Sequence, residues 1–202
     1  MEKHVISAPQ HLMCNLAEHT EKLFISGEVS NFTIENTSDL IEETQGILIC
    51  SKHPTFSWML GSNNRPTSKQ IYQTSFQIIL SSCRTNCSQD KGDLWDSGRI
   101  LSQNSLVKYA GHSLKPDKIY YWKVKITDSN NKESPWSHIK FFKTGLELSD
   151  YNSVRYPLIQ KQEFPVYSKK VDSKLLLYDF GKAAAGKLKL KASSKISLAR
   201  IS

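Results

Sequence analysis

Ile119-Tyr-Tyr-Trp-Lys-Val-Lys-Ile-Thr127 decides the fold class. Side chains on an extended strand point alternately to opposite faces. Tyr120, Trp122, Val124 and Ile126 therefore share one apolar face, and Tyr121, Lys123 and Lys125 share the other. Asp128-Ser-Asn-Asn-Lys-Glu-Ser134 follows as a cluster of turn formers, and His138-Ile-Lys-Phe-Phe-Lys-Thr144 returns as a partner strand. Working outward, Gln70–Ser81 sets Tyr72, Phe76 and Ile78 at period-two positions with Thr74 between them, which reads as a half-buried strand. Phe56-Ser-Trp-Met-Leu60 runs into Gly-Ser-Asn-Asn-Arg-Pro66, and Leu94-Trp-Asp-Ser-Gly98 leads towards Ser105-Leu-Val-Lys-Tyr109 before turns at Gly111 and Pro116. Short strands with turn signals every 8–12 residues or so, and no helix between them, predict a β-sandwich.

Three stretches follow from this pattern. Residues 1–50 form an N-terminal extension in which the apolar bursts Leu23-Phe-Ile25 and Ile47-Leu-Ile49 suggest isolated strands. Residues 51–147 hold the sandwich, whose aromatic side chains fill its core. Residues 148–202 contain strand-like runs at Leu175-Leu-Leu-Tyr-Asp-Phe180, Lys187-Leu-Lys-Leu-Lys191 and Ile196–Ile201. That segment is small for an independent core and reads as an incomplete second β-domain. The chain is thus expected to be all-β.

The net charge of +8 raises nucleic acid as a partner. Residues 1–150 hold 16 basic and 16 acidic side chains and residues 151–202 hold 11 and 3, so the excess is confined to the last quarter. There the lysines alternate with apolar residues, as on the polar face of a strand, which argues against nucleic acid. A mean hydropathy of −0.44 and the lack of an apolar run of about 18–20 residues argue against a membrane span. Met1–Pro9 has no secretory core, so the chain reads as cytoplasmic as written, or periplasmic or secreted if a signal has been removed.

No motif supplies chemistry. The pair Cys83-x-x-x-Cys87 lacks a second Cys/His pair, the six histidines show no ligand spacing, and neither a metal nor a cofactor is expected. Cys14, Cys50, Cys83 and Cys87 are read as unpaired structural thiols. Gly181-Lys-Ala-Ala-Ala-Gly-Lys187 approaches a phosphate loop, but Leu188 stands where Ser or Thr must reach magnesium, and strand-like sequence follows instead of a helix. The acids lie scattered on turns (Asp90, Asp93, Asp117, Asp128, Glu133) or in the polar extension (Glu42, Glu43). No catalytic residue is assigned. Trp95 and Trp136, beside turns, are the candidates for stacking on a sugar ring or for an interdomain contact. Trp58 and Trp122 are assigned to the core, and Tyr120-Tyr121 to anchoring a nearby loop.

Taken in order, Pro54-x-Phe56-Ser-Trp58, Leu94-Trp-Asp-Ser-Gly98, Tyr109-Ala-Gly111, Tyr120-Tyr-Trp-Lys-Val124, Ser134-x-Trp136-Ser137 and Phe142-x-x-Gly145-Leu146 resemble the N-terminal fibronectin type III-like domain of bacterial α-L-rhamnosidases. Tyr178-Asp-Phe-Gly-Lys-Ala-Ala-x-Gly186 is similar to the start of the accessory β-sandwich that comes next in those enzymes. The resemblance implies a fibronectin type III/immunoglobulin-like sandwich that supports a catalytic domain on the same or a longer polypeptide acting on rhamnose-containing glycans. The glutamates that work in such enzymes fall beyond the matched stretch, so no residue here inherits their role. The competing expectation is a stand-alone module that binds a glycan or a protein.

Overall fold

The computed structural model describes residues 6–25, 27–35, 44–61, 72–157 and 163–183. They fall into two compact units, one ending at Gln160 and one beginning at Lys161. The first unit contains strands β1 (Gln10–Cys14), β2 (Lys22–Ile25), β3 (Glu28–Thr33), β4 (Thr44–Gly46), β5 (Leu48–Ser51), β6 (Thr55–Met59), β7 (Gln73–Ser81), β8 (Trp95–Asp96), β9 (Ile100–Leu101), β10 (Leu106–Lys108), β11 (Ile119–Asp128), β12 (Lys140–Ser149) and β13 (Val154–Arg155). A single helix, α1 (Arg84–Ser88), lies among its described residues.

Two sheets enclose the core. The smaller runs β1-β6-β10, and the larger runs β13-β5-β12-β11-β7-β8, with β9 also on β7. All pairings are antiparallel except β5 with β12. The smaller sheet turns Leu12, Cys14, Phe56 and Trp58 inward against Phe76, Ile78, Leu80, Tyr120, Trp122, Val124, Ile126 and Phe142 of the larger. Phe56 meets Trp122 at 4.6 Å between ring centroids, and Trp58 meets Phe76 edge-on at 5.0 Å. The alternation read from 119–127 is realised as two faces of β11. Trp58 and Trp122 are buried as expected, and the Trp58 indole N–H donates to the buried Gln73 side chain at 3.0 Å.

β7 departs from its expected half-buried character. Phe76, Ile78 and Leu80 face the core, Tyr72 precedes the strand and is exposed, and the opposite face is covered too, with Ile79 and Ser75 at 0% exposure. The cover comes from the segment after β7, where a Cβ on Gly92 would lie 3.1 Å from that of Ile79. It also includes α1, which the sequence reading omitted. A five-residue helix completes little more than one turn, too short to establish a 3.6-residue apolar period. Its one buried side chain is Cys87.

The line drawn at residue 50 does not coincide with the sheets. β1 belongs to the smaller sheet and β5 to the larger, while β3-β2-β4 form a sheet of their own. That third sheet lies on the outer face of the larger one, packing Leu23 and Ile34 against Phe141, Ile119 and Tyr121. Lys140 pairs there with Glu21 at 2.7 Å, and the Thr20 hydroxyl donates to the Phe141 carbonyl at 2.9 Å. Leu23-Phe-Ile pairs with nearby β3 and β4, but the surface it packs on, Phe141 with Ile119 and Tyr121, is distant in sequence.

In the second unit, β14 (Tyr167–Lys170) and β15 (Leu176–Asp179) form an antiparallel hairpin, and every residue of both strands is exposed. The strand-like runs at 187–191 and 196–201, and the phosphate-loop-like stretch beyond Ala183, lie outside the described residues.

Candidate functional site

Trp95 begins in β8, where Leu80 and Trp95 pair across the edge of the larger sheet. Its ring is half-buried, packed edge-on against Tyr109 at 5.3 Å and tilted on Phe56 at 6.3 Å. Tyr109 is itself tied down, because its hydroxyl donates to the His112 carbonyl at 2.6 Å while His112 N–H donates to the Leu94 carbonyl at 3.0 Å. Burial pushes the Tyr109 phenol well above its ordinary range. Between the 92–96 and 110–112 segments lies an open depression of about 360 Å³, lined by Asp93, Leu94, Trp95, Asp96, Ala110 and His112 with Gly92 and Gly111. Both glycines are needed for this fit. A Cβ at 92 would come within 2.2 Å of the Trp95 carbonyl, and one at 111 within 2.4 Å of the Leu94 carbonyl.

Trp136 is placed differently. The Lys123 and Lys125 ammonium groups each lie 5.2 Å from the centroid of its ring, so the indole serves as a cation–π partner for lysines of its own sheet. The flanking serines explain how it is held. Ser134 and Ser137 N–H groups donate to the Ile126 and Val124 carbonyls at 2.8 Å, and the same two hydroxyls accept from Ile126 N–H at 3.0 Å and Val124 N–H at 3.1 Å. The direct β11–β12 register is confined to Ile119–Trp122, and the serine segment serves the ladder beyond it. The structure therefore does not bring Trp95 and Trp136 into one site.

Each acid noted on a turn has a structural partner. Asp90 pairs closely with Lys123, Asp117 with Lys143 at 2.7 Å and Glu133 with Lys125 at 3.2 Å. Asp128 accepts from the Asn130 and Lys132 N–H groups at 2.9 Å. Asp93 accepts from the Ser82 N–H and hydroxyl. Burial raises the Asp93 carboxyl, but these bonds outweigh it and hold the group below its ordinary value. Glu42 and Glu43 lie outside the described residues. No group of three or more His, Cys, Asp and Glu able to hold a metal occurs among the described residues, and none of their helices is long and apolar enough to cross a membrane. All four cysteines are free thiols.

One cluster had no sequence signal. Arg84 forks onto Glu35 through Nε at 3.1 Å and Nη2 at 2.6 Å, Tyr121 donates to the same carboxylate at 2.7 Å, and the guanidinium lies 5.2 Å from the Phe141 ring centroid. These bonds, Arg84's first, hold Glu35 below its ordinary value against the opposing effect of burial. The partners are separated by 37 and 49 residues or more, beyond any local pattern. The cluster fastens the β2–β3–β4 sheet to the sandwich. Tyr120, by contrast, fulfils its expected role: its hydroxyl accepts from Lys115 N–H at 2.7 Å, tying the strand to the loop just before it in the manner of a tyrosine corner.

A three-stranded sheet facing a larger, mostly antiparallel one across an aromatic core, with that corner, defines a module of the immunoglobulin and fibronectin type III kind. A family model described as Rha78A-like, N-terminal immunoglobulin domain, matches residues 36–147, and the chain belongs to that family. An α-L-rhamnosidase of Formosa agariphila is 37% identical over 101 residues, which make up 50% of this chain and 10% of that protein. Another, of Streptomyces avermitilis, is 35% identical over 112 residues, 54% of this chain and 10% of that one. The solved α-L-rhamnosidase from Dictyoglumus thermophilum covers 71% of this chain with 13% of its own, at 31% identity and a TM-score of 0.53. The chain thus spans about a tenth of the length of the curated relatives it matches.

Proposed function

We propose that the chain is a non-catalytic accessory region of an α-L-rhamnosidase-like glycoside hydrolase, with the unit that begins at Lys161, rather than at residue 148, opening a second β-domain. Its work is mechanical: a rigid sandwich that supports and orients the catalytic domain of a longer polypeptide acting on rhamnose-containing glycans. The observation that carries this reading is the family match over residues 36–147. The partnering of the dispersed acids supports it, since inverting glycosidases need two carboxyl groups about 6.5–9.5 Å apart around a sugar.

Domain exchange tests the support role. Residues 6–157, which carry β1 and the β2–β3–β4 sheet along with the sandwich, would replace the corresponding segment of the Formosa agariphila enzyme, and soluble yield and activity would be measured. A chimera that folds and turns over aryl α-L-rhamnosides supports the reading, whereas one that misfolds or loses activity overturns it. The purified chain itself should release no p-nitrophenol from the aryl rhamnoside. Turnover abolished by replacing any one of its acids would refute the non-catalytic assignment.

A further inference from the structure

We propose that the depression between residues 92–96 and 110–112 is a subsite for one neutral pyranose ring. It is an open depression of about 360 Å³, room to hold one ring on one side rather than to enclose it as deeper small-molecule sites do. Its floor is preorganised. Trp95 is locked by Tyr109 and Phe56, and Gly92 and Gly111 bring both walls into backbone contact, so ligand binding would not have to order them. A sugar ring presents C–H groups on one face and hydroxyls round its rim. Trp95, Leu94 and Ala110 offer apolar surface to the first.

The carboxylates serve the second. Ser82 fixes Asp93. Asp96 is fixed through Oδ1 alone, accepting from Gln77 Nε2 at 2.8 Å and Gly98 N–H at 2.9 Å. Its Oδ2 takes no hydrogen bond among the described residues, and the exposed side chain keeps that oxygen as a spare acceptor. The exposed His112 imidazole adds a group that can donate or accept. Two carboxylates repel an anionic ligand, and the polar rim does not suit a wholly apolar one. Hydroxyl donors beside a small apolar patch satisfy both parts. The subsite is independent of the accessory role: a sandwich can support a catalytic domain with or without holding a sugar.

The test is an NMR titration of the whole ¹⁵N-labelled chain with methyl α-L-rhamnopyranoside and, separately, methyl α-D-mannopyranoside. Saturable shifts of the Trp95 indole N–H and the 110–112 amides with either glycoside are expected. Asp96→Asn and His112→Ala should each weaken binding about tenfold, the loss of one good hydrogen bond, while spectral dispersion stays unchanged. Trp136→Ala should bind like the parent. Three results would overturn the proposal: no saturable shift with either glycoside, binding that both variants retain in full, or displacement of the glycoside by arginine methyl ester at lower concentration. The last would identify the depression as a seat for a cationic side chain. Failure here would leave the domain-exchange result untouched.

Discussion

Gln73 shows how much one buried polar side chain can hold. Its Oε1 accepts the Trp58 indole N–H, and its Nε2 donates to the Ser102 and Asn104 carbonyls at 3.1 and 2.9 Å. One amide therefore connects both sheets and the loop before β10. Gln73→Leu keeps the size but leaves an indole N–H and two carbonyls unmet, and should cost about 1–3 kcal/mol in urea unfolding. Glu35 makes a different prediction because its contribution depends on charge. With its folded pKa held below 4.5, chiefly by Arg84, the ionised pair stabilises the fold above the unfolded pKa. That contribution is lost as the pH falls through the lower folded value. Glu35→Gln should lower stability by about 1 kcal/mol or less near neutral pH, because Arg84 is half exposed. The difference in melting temperature from the parent should fade below about pH 4.

At the scale of elements, α1 sorts two thiols four residues apart. Cys87 is fully buried, and burial above all pushes its pKa up to about 11. Cys83, at the helix start, is exposed. Iodoacetamide at neutral pH should label Cys83 readily and leave Cys87 and the buried Cys14 unmodified until the fold opens, as peptide mass spectrometry would show. The strands themselves were largely readable. β11 announced both of its faces because its side chains alternate without interruption, and Tyr120 declared its anchoring role by its place at the strand's start. What could not be read was whatever depends on a distant partner. Leu23 pairs locally within its own small sheet, but the Phe141 it packs on is 118 residues away, and Trp136 looked like an exposed platform because the lysines beneath it lie on β11. The stretch 70–81 read as a half-buried strand because the cover of its second face, over Ile79, arrives with Gly92. The depression was half legible: Trp95 stood out as an aromatic beside a turn, but its neighbours Ala110 and His112 belong to another loop.

Over the whole molecule, the first unit and the hairpin of the second should differ sharply in stability. β7 and β11 are paired on both edges and buried on both faces at their centres. Among the described residues β14 and β15 have only each other, with Leu176, Leu177 and Tyr178 about half exposed, and an isolated two-stranded hairpin is marginal in water. Hydrogen exchange should show amides of Phe76–Leu80 and Trp122–Ile126 among the slowest, and those of Leu176–Asp179 exchanging orders of magnitude faster. Slow exchange at the hairpin would mean that its strands gain cover in solution.

The serine segment along β11 has a consequence for how this protein keeps to itself. A strand left half unpaired is a template on which a second molecule can zip up. Here two hydroxyls and two amides from Ser134 and Ser137 occupy those sites, while Pro135, which has no amide hydrogen to offer, projects between them. The rungs of β11 at Val124 and Ile126 are therefore already taken, and a neighbouring copy finds neither of them vacant.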